Sequence, residues 1–387
     1  MTVLLLPDSD LDAALLEHAR AVRGFAISKL APHARAIDEE RRFRRETVAD
    51  LAAAGLVGGP IDPCYGGGGW SAMQLAVAHE EVGAVCGNAR GFLAVQTGLV
   101  AQCIAQHGND AQRAQWLPRL VSGDVIGCFG LTEEDAGSDV ASLRTTAVGV
   151  SGGGYELHGK KIWITNGGVA DVAIVFANAD PDRGRDGITA FLVETSQPGF
   201  RREPMSGVEL GHRGSDHAQL VLDGVRVAGD AVLGELGRGF GVAMRGLSAG
   251  RLSVAAGAVG IHRAALSATL DFVRERHQFG KPLAAFQMVQ ERIADMAVEL
   301  TGARALVWRC ARRRDAGTEQ PADLAAAKLY ATEAAARAAD QAVLLHGGRG
   351  YSSAYPVERL LRDIMGLRIY EGTSMIQKQI IGRALSS

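Results

Sequence analysis

The chain has 387 residues, more than one compact core usually holds, and its 47% apolar content supports two or three packed subdomains. A formal net charge of −2 excludes nucleic acid or an anionic membrane as the main partner. Only six of the 41 basic residues are Lys, so a lone Arg is weak grounds for an anion site. The five cysteines, Cys64, Cys86, Cys103, Cys128 and Cys310, show no Cys-x-x-Cys or Cys/His spacing, so neither a disulfide frame nor a zinc site is expected. The opening Met-Thr-Val-Leu-Leu-Leu-Pro is too short and lacks the basic start of a signal peptide. No apolar run approaches the roughly 20 residues that span a bilayer. A cytoplasmic protein without a membrane is expected.

Residues 10–125 read as helices. Leu11, Ala14, Leu15 and Ala19 recur at helical spacing, as do Thr47, Val48, Leu51 and Leu56. The basic run at 41–45 reads as a solvated helix start. Gly58-Gly59-Pro60 and the glycines at 66–69 mark a long loop before another helix from Ser71. No strand precedes that loop and no Lys follows it, so it is not read as a phosphate cradle.

Near residue 125 the texture changes. Short β-leaning runs at 125–131, 155–158, 162–165, 172–177, 188–194 and 219–222 predict a small antiparallel β-domain ending near 235. The glycines at 234–241 follow this β block rather than sitting inside a βαβ unit, so a dinucleotide fingerprint is rejected. From 240 onward, amphipathic or Ala-rich segments at about 240–275, 285–315, 320–346 and 355–385 predict a helix bundle.

Four further stretches carry chemistry. In Phe129-Gly-Leu-Thr-Glu-Glu-Asp-Ala-Gly-Ser-Asp139, small Gly137 and Ser138 let backbone N–H groups and a hydroxyl approach an anion, although an ordinary Asp/Gly turn is the better reading of this stretch alone. Lys160-Lys-Ile-Trp-Ile-Thr-Asn-Gly167 reads as a strand with Trp163 and Thr165 on one face, suited to stacking and hydrogen bonding a planar cofactor, or to a plain cross-strand pair. Arg276-His-Gln-Phe-Gly-Lys-Pro-Leu-Ala-Ala-Phe-Gln287 breaks one helix and starts the next, leaving Arg276 free to reach outward. His346-Gly-Gly-Arg-Gly-Tyr351 is a glycine turn ending an Ala-rich helix.

The stretch that organises the rest is Arg368-Ile-Tyr-Glu-Gly-Thr-Ser-Met-Ile-Gln377. Glu371 lies between apolar runs, and Gly372 and Thr373 break the helical pattern, so the acid is placed to project from a loop into a cavity. A carboxylate drawn out of water has its pKa raised toward the range of a general base. A helix-capping or surface glutamate is the plainer reading of Glu371 alone.

Together these stretches resemble the FAD-dependent acyl-CoA dehydrogenases, in the right order and over nearly the whole chain. The resemblance implies an α+β fold: an N-terminal helical domain (1–124), a central antiparallel β-domain (125–235) and a C-terminal four-helix bundle (236–387), usually assembled as a homotetramer. It implies that Phe129, Leu131 and Thr132 contact the flavin ring, that Ser138 touches cofactor and thioester, and that Trp163 and Thr165 cover the flavin. Arg276, Phe279 and Gln287 would reach a neighbouring subunit's FAD, Gly347 and Gly348 its adenine end, and Thr373 the flavin again. Glu371 matches the base, and Arg251 an Arg that holds the site's geometry.

Four positions depart from the family pattern. Leu344 stands where a Gln is common, Thr-Glu-Glu-Asp at 132–135 replaces Thr-Glu-Pro-Gly, and Val227-Ala228 replaces a Val-Pro. Some relatives place the base just before the position of Arg251; here that residue is Gly250. The implied reaction is α,β-dehydrogenation of an acyl-CoA to a trans-2-enoyl thioester: Glu371 takes the α-proton, flavin N5 takes hydride, and electrons pass to an electron-transfer flavoprotein or another acceptor. An acyl-carrier-protein thioester of polyketide or peptide biosynthesis is the alternative substrate, loosely suggested by residues 88–97 and 211–217. A flavin oxidase or monooxygenase of the same fold typically lacks this glutamate, and a non-catalytic scaffold would have no use for the matching residues.

Overall fold

The computed structural model describes residues 11–386, so the reading of the first seven residues lies outside them. Seven helices come first: α1 (Ala13–Phe25), α2 (Ala31–Glu40), α3 (Arg45–Ala53), α4 (Ala72–Gly83), α5 (Gly87–Leu93), α6 (Gln102–His107) and α7 (Asp110–Val121). Helix α4 starts where its sequence says it should: Ser71 caps the Gln74 N–H while the Gln74 side chain accepts from the Ser71 N–H. Between α5 and α6 the helix continues as a π-helical stretch, Ala94–Ala101, a local widening often found at functional sites. Its Gln96 side chain donates to the carbonyls of Leu120 and Val125 and accepts from the Gly127 N–H, which fixes the stretch against the first strand.

The strands are β1 (Gly127–Gly130), β2 (Thr146–Gly149), β3 (Tyr155–Thr165), β4 (Val172–Asn178), β5 (Ile188–Glu194), β6 (Phe200–Pro204) and β7 (His217–Val227). They form one sheet in the order β1-β4-β2-β3-β7-β6, with β5 also on β4. Most pairs are antiparallel as expected, but β1 and β2 both run parallel to β4, so the sheet is mixed. Residues of β4 alternate between two buried clusters, Val172, Ile174 and Phe176 in one and Ala173, Val175 and Ala177 in the other. Both faces of β4 are therefore covered, which explains a continuous apolar run where a half-exposed strand would alternate.

A short ladder, β8 (His277–Gln278) with β9 (Lys281–Pro282), then leads into the rest of the bundle. The bundle helices are α8 (Gly239–Glu275), α9 (Gln287–Asp315), α10 (Pro321–His346), α11 (Val357–Ile369) and α12 (Ser374–Ser386). The fourth predicted helix is thus two, interrupted at 370–373. Apolar faces of α4, α8, α9, α10 and α11 share one core. Among the described residues no helix is long and apolar enough to cross a membrane, and no group of His, Cys, Asp and Glu has metal-binding geometry.

One buried ion pair shapes the sheet where the site lies. Lys161 Nζ donates to Glu133 at 2.7 Å and to the Leu131 carbonyl at 3.3 Å. Glu133 also accepts from the N–H groups of Arg144 and Thr145. Burial raises the Glu133 carboxyl, but the Lys161 charge and these hydrogen bonds outweigh it and hold the group below its usual range. Glu133 thereby closes the 132–135 turn that departs from the family pattern. Lys161→Met would leave a buried carboxylate unpaired and should lower stability by about 3–5 kcal/mol in denaturant unfolding. Lys161→Met with Glu133→Leu should recover part of that loss; a single variant as stable as wild type would mean the pair is not what holds the turn.

Candidate active site

Residue 371 has φ of 59° although it is not glycine, a conformation that costs energy unless surroundings enforce it. Three side chains from three helices do so. From α10, Lys328 donates to the carbonyls of Tyr370, at 2.8 Å, and Gly372. From α12, Gln377 Nε2 donates to the carbonyls of Glu371, at 3.2 Å, and Gly372, at 2.8 Å. From α8, Arg251 Nε donates to the Glu371 carbonyl at 3.5 Å. Gly372, with φ of 89°, completes the break in the chain.

The clamp aims the carboxyl group of Glu371 at α8. A Cβ built on Gly250 would lie 2.2 Å from Glu371 Oε2 and 2.5 Å from its Cδ. The absent side chain at 250 is therefore the space the carboxyl occupies. Oε2 is buried and has no hydrogen-bond partner. Burial pushes the Glu371 pKa from 4.5 up to about 7, against the opposing charges of Lys328, Arg251 and Arg90. Burial likewise brings Lys328 down to about 8 and lowers Arg251, both of which the Glu371 charge resists.

Glu371 lines a cavity together with Phe129, Leu131, Thr132, Trp163 and Thr165. The strand pattern placed Trp163 and Thr165 on one face by simple alternation, and here the structure corrects the reason. The β3–β7 register shifts between Lys161 and Ile164, and Trp163 takes φ of 58°. This bulge turns the indole out, 52% exposed, while the Trp163 backbone N–H donates to Met205 Sδ at 3.3 Å. Trp163, Ile164 and Thr165 all reach the cavity, which an unbulged strand would not allow.

The remaining expected residues divide into two groups. Arg251 and Thr373 flank Glu371 in the clamp and the chain break, while Gly137 and Ser138 lie exposed in the turn after β1. Arg276, Phe279, Gln287, Gly347 and Gly348 do not line this cavity. Arg276 instead lines a separate hollow with His346 and Arg349, beside the 347–348 turn. Phe279 and Gly280 both have positive φ at the tip of the β8–β9 turn, and Phe279 is 92% exposed.

Several functional neighbours escaped the sequence reading: Arg90, Lys328, Gln377 and the vacant place at Gly250. Lys328 had a signal, the one lysine inside the Ala-rich run of α10. Arg90 had none, because its role depends on what packs around it.

Consecutive family profiles match the chain: the acyl-CoA dehydrogenase N-terminal domain over residues 14–124, the middle domain over 128–225 and the C-terminal domain over 237–386. An acyl-CoA dehydrogenase of Bacillus subtilis is 41% identical over 366 residues, covering 95% of this chain and 96% of that protein. The structure of butyryl-CoA dehydrogenase from Megasphaera elsdenii superposes with a TM-score of 0.94 at 38% identity, covering 97% of this chain and 99% of that one. A glutaryl-CoA dehydrogenase from Mycobacterium smegmatis in complex with FADH2 gives 0.94 at 35% identity, covering 99% and 97%. With its three domains matched in sequence and its backbone matched end to end, this chain belongs to the acyl-CoA dehydrogenase family of FAD-dependent oxidoreductases.

Proposed function

We propose that this protein dehydrogenates an acyl-CoA between its α and β carbons, giving a trans-2-enoyl thioester, with Glu371 as the base that takes the α-proton. The observation that carries this is the Glu371 carboxyl: buried, clamped, unpartnered at Oε2 and raised to about 7 at the wall of a cavity. A carboxylate in water is far too weak a base for an α-proton. Withdrawal from water and fixed orientation narrow that gap. Apolar Val95, Leu99, Phe129 and Leu247 line the same cavity and keep water from competing for Oε2.

The half-exposed Trp163 indole, the Thr132 and Thr165 hydroxyls and the Phe129 and Leu131 backbone make a wall suited to a flat ring with polar edges, and these residues would hold the flavin part of FAD. Bound FAD supplies the hydride acceptor. Arg251 serves as a positioning residue, holding the backbone that aims Glu371. The exposed turn at Gly137 and Ser138 would face cofactor and thioester from the other side, with Thr373 beside the flavin.

Arg276, Phe279, Gln287, Gly347 and Gly348 are assigned to a neighbouring subunit's FAD in a homotetramer. An aromatic ring held out at positive φ by its turn, with Arg276 and the glycine turn grouped at the same end of the bundle, supports this. Electrons would leave to an electron-transfer flavoprotein or a similar acceptor, and the acyl group would be presented by CoA rather than a carrier protein.

Glu371→Gln keeps the volume but cannot accept a proton. Anaerobic flavin bleaching by substrate should fall at least about 10²-fold while the protein stays yellow. Bleaching at the wild-type rate would remove Glu371 from the base role. The wild-type kcat/KM should rise with pH through about 7 and then level, since only the carboxylate is competent. Because the folded pKa lies above 4.5, stability should fall as pH rises through that window, so Glu371→Gln should melt higher than wild type at pH 8.

Gly250→Ala should displace the carboxyl and slow bleaching without loss of colour. A variant of undiminished rate would show that the carboxyl is not confined there. Arg276→Ala should weaken FAD retention at unchanged circular dichroism, through loss of a charge-assisted contact. Ultracentrifugation that found a stable, fully loaded monomer of the wild type would overturn the shared-cofactor assignment.

A further inference from the structure

The bulge in β3 also changes what stands across from the cavity on the neighbouring strand. Before the bulge Lys161 pairs with Leu220; after it Ile164 pairs with Ala218 and Thr165 with His217. An unbroken ladder would carry Thr165 on to Asp216. The shift of one residue therefore replaces a carboxylate by an imidazole directly opposite Thr165. Side chains opposite each other in an antiparallel pair share a face, with Cβ atoms roughly 5 Å apart. Both residues line the cavity of Glu371. Asp216 is left against Gly168, where a Cβ would meet its carboxyl oxygen at 2.5 Å.

The His217 side chain is 15% exposed, and its Nδ1 is buried with no hydrogen-bond partner. Glu209 Oε1 stands 3.8 Å from that nitrogen, too far for a hydrogen bond but close enough for charges to attract. Contact with His217 is the chief reason the Glu209 carboxyl is held below its usual range. Asp216 and His212 come from the same loop, and burial keeps His212 neutral at about 3. Arg202 of β6 attends Asp216. Arg90, on α5, is tied to the bundle: a Cβ on Gly257 of α8 would lie 2.3 Å from its Cδ, and its Nη2 donates to the Tyr370 hydroxyl while Nε and Nη1 stay unpartnered. The imidazole thus stands on the sheet side of the cavity, beside the Thr165 hydroxyl and backed by an anion.

We propose that His217 is a further flavin-holding residue, its imidazole N–H lying beside the Thr165 hydroxyl against the ring edge with Glu209 behind it, and that it raises the reduction potential of the bound FAD. This rests on the reading of the Trp163–Thr165 wall as the seat of the flavin. Reduction adds electron density to a flavin ring, and the protein's share in that chemistry is charge and hydrogen bonding at the ring's polar edges. A donor meeting a ring that has gained negative charge binds more strongly than one meeting a neutral ring. Asp216 in the same place would act in the opposite sense, because a carboxylate only accepts hydrogen bonds and repels the added charge. Glu209 orients the imidazole, as a carboxylate behind a histidine sets which nitrogen faces forward.

The test is a dye-equilibrated redox titration of the FAD-loaded protein with no acyl-CoA present. His217→Leu removes the donor at similar volume. It should shift the oxidised-to-reduced ratio about tenfold toward oxidised at a given potential, a midpoint about 30 mV lower for a two-electron couple. Loss of FAD on dilution, followed by its fluorescence, should set in at about 3- to 10-fold higher protein concentration, the range of one hydrogen bond. His217→Gln keeps an N–H donor without the imidazole and should fall between; it decides the matter if the leucine protein retains no FAD. An unchanged midpoint in both variants would overturn the assignment. An unchanged midpoint with a raised KM for acyl-CoA would do the same and give the imidazole to the acyl chain. Because no thioester is present, the titration is independent of Glu371. The predicted shifts in a protein whose flavin no acyl-CoA bleaches would keep His217 at the flavin and count against the dehydrogenase reading alone. A wild type that holds no FAD would overturn both.

Discussion

A single unpartnered carboxylate oxygen is the constraint around which this molecule is arranged. Glu371 Oε2 can stay buried only because the backbone carrying it is not free to move. The positive φ at 371 is held by hydrogen bonds to the carbonyls of residues 370, 371 and 372 from Lys328, Gln377 and Arg251. Those side chains come from α10, α12 and α8, so the strain at one residue is sustained by the packing of the whole bundle. Lys328 is itself fully buried and does double duty: it fixes the loop and tempers the field at Glu371.

Opposite the bundle, the sheet solves a matching problem. A regular β3 would bring alternate residues to the cavity. The bulge at Trp163, in its own positive-φ conformation, brings three in a row and turns a large aromatic outward. The strand around it is secured by the buried Lys161–Glu133 pair, which also ties down the turn after β1. The two walls of the site therefore each contain a strained residue and a buried lysine that supports it. Helix α8 spans the gap between them, and its glycines let a carboxyl and a guanidinium approach its backbone more closely than any side chain would permit.

Much of this protein was legible in its amino-acid order, because the relevant signals are local. Helical spacing, the Ser71 cap and the change of texture near 125 depend on neighbours a few residues apart, and they place helices, strands and helices again in the right order. The break at Gly372 and Thr373 is also local, and it correctly put Glu371 in a loop between two helices. The motif matches added the family and its flavin. What the alternation rule missed was the bulge at Trp163, since a register shift depends on the partner strand β7 rather than on β3 itself. The parallel pairing of β1 and β2 with β4 was hidden for the same reason.

The electrostatics of the site were decided by tertiary structure alone. Arg90, Gly250, Lys328 and Glu371 are separated by tens to hundreds of residues, and nothing in the identity of any one of them announces the others. Whether an Arg is solvated or buried with donors left unpaired, and whether a glutamate titrates near 4.5 or near 7, depends on how much water packing removes and which charges remain close. The sequence by itself determined which backbone elements form and which family chemistry they serve. Only the folded chain decided which charges are left unanswered inside it, because desolvation is a property of the assembled interior and has no local pattern to read.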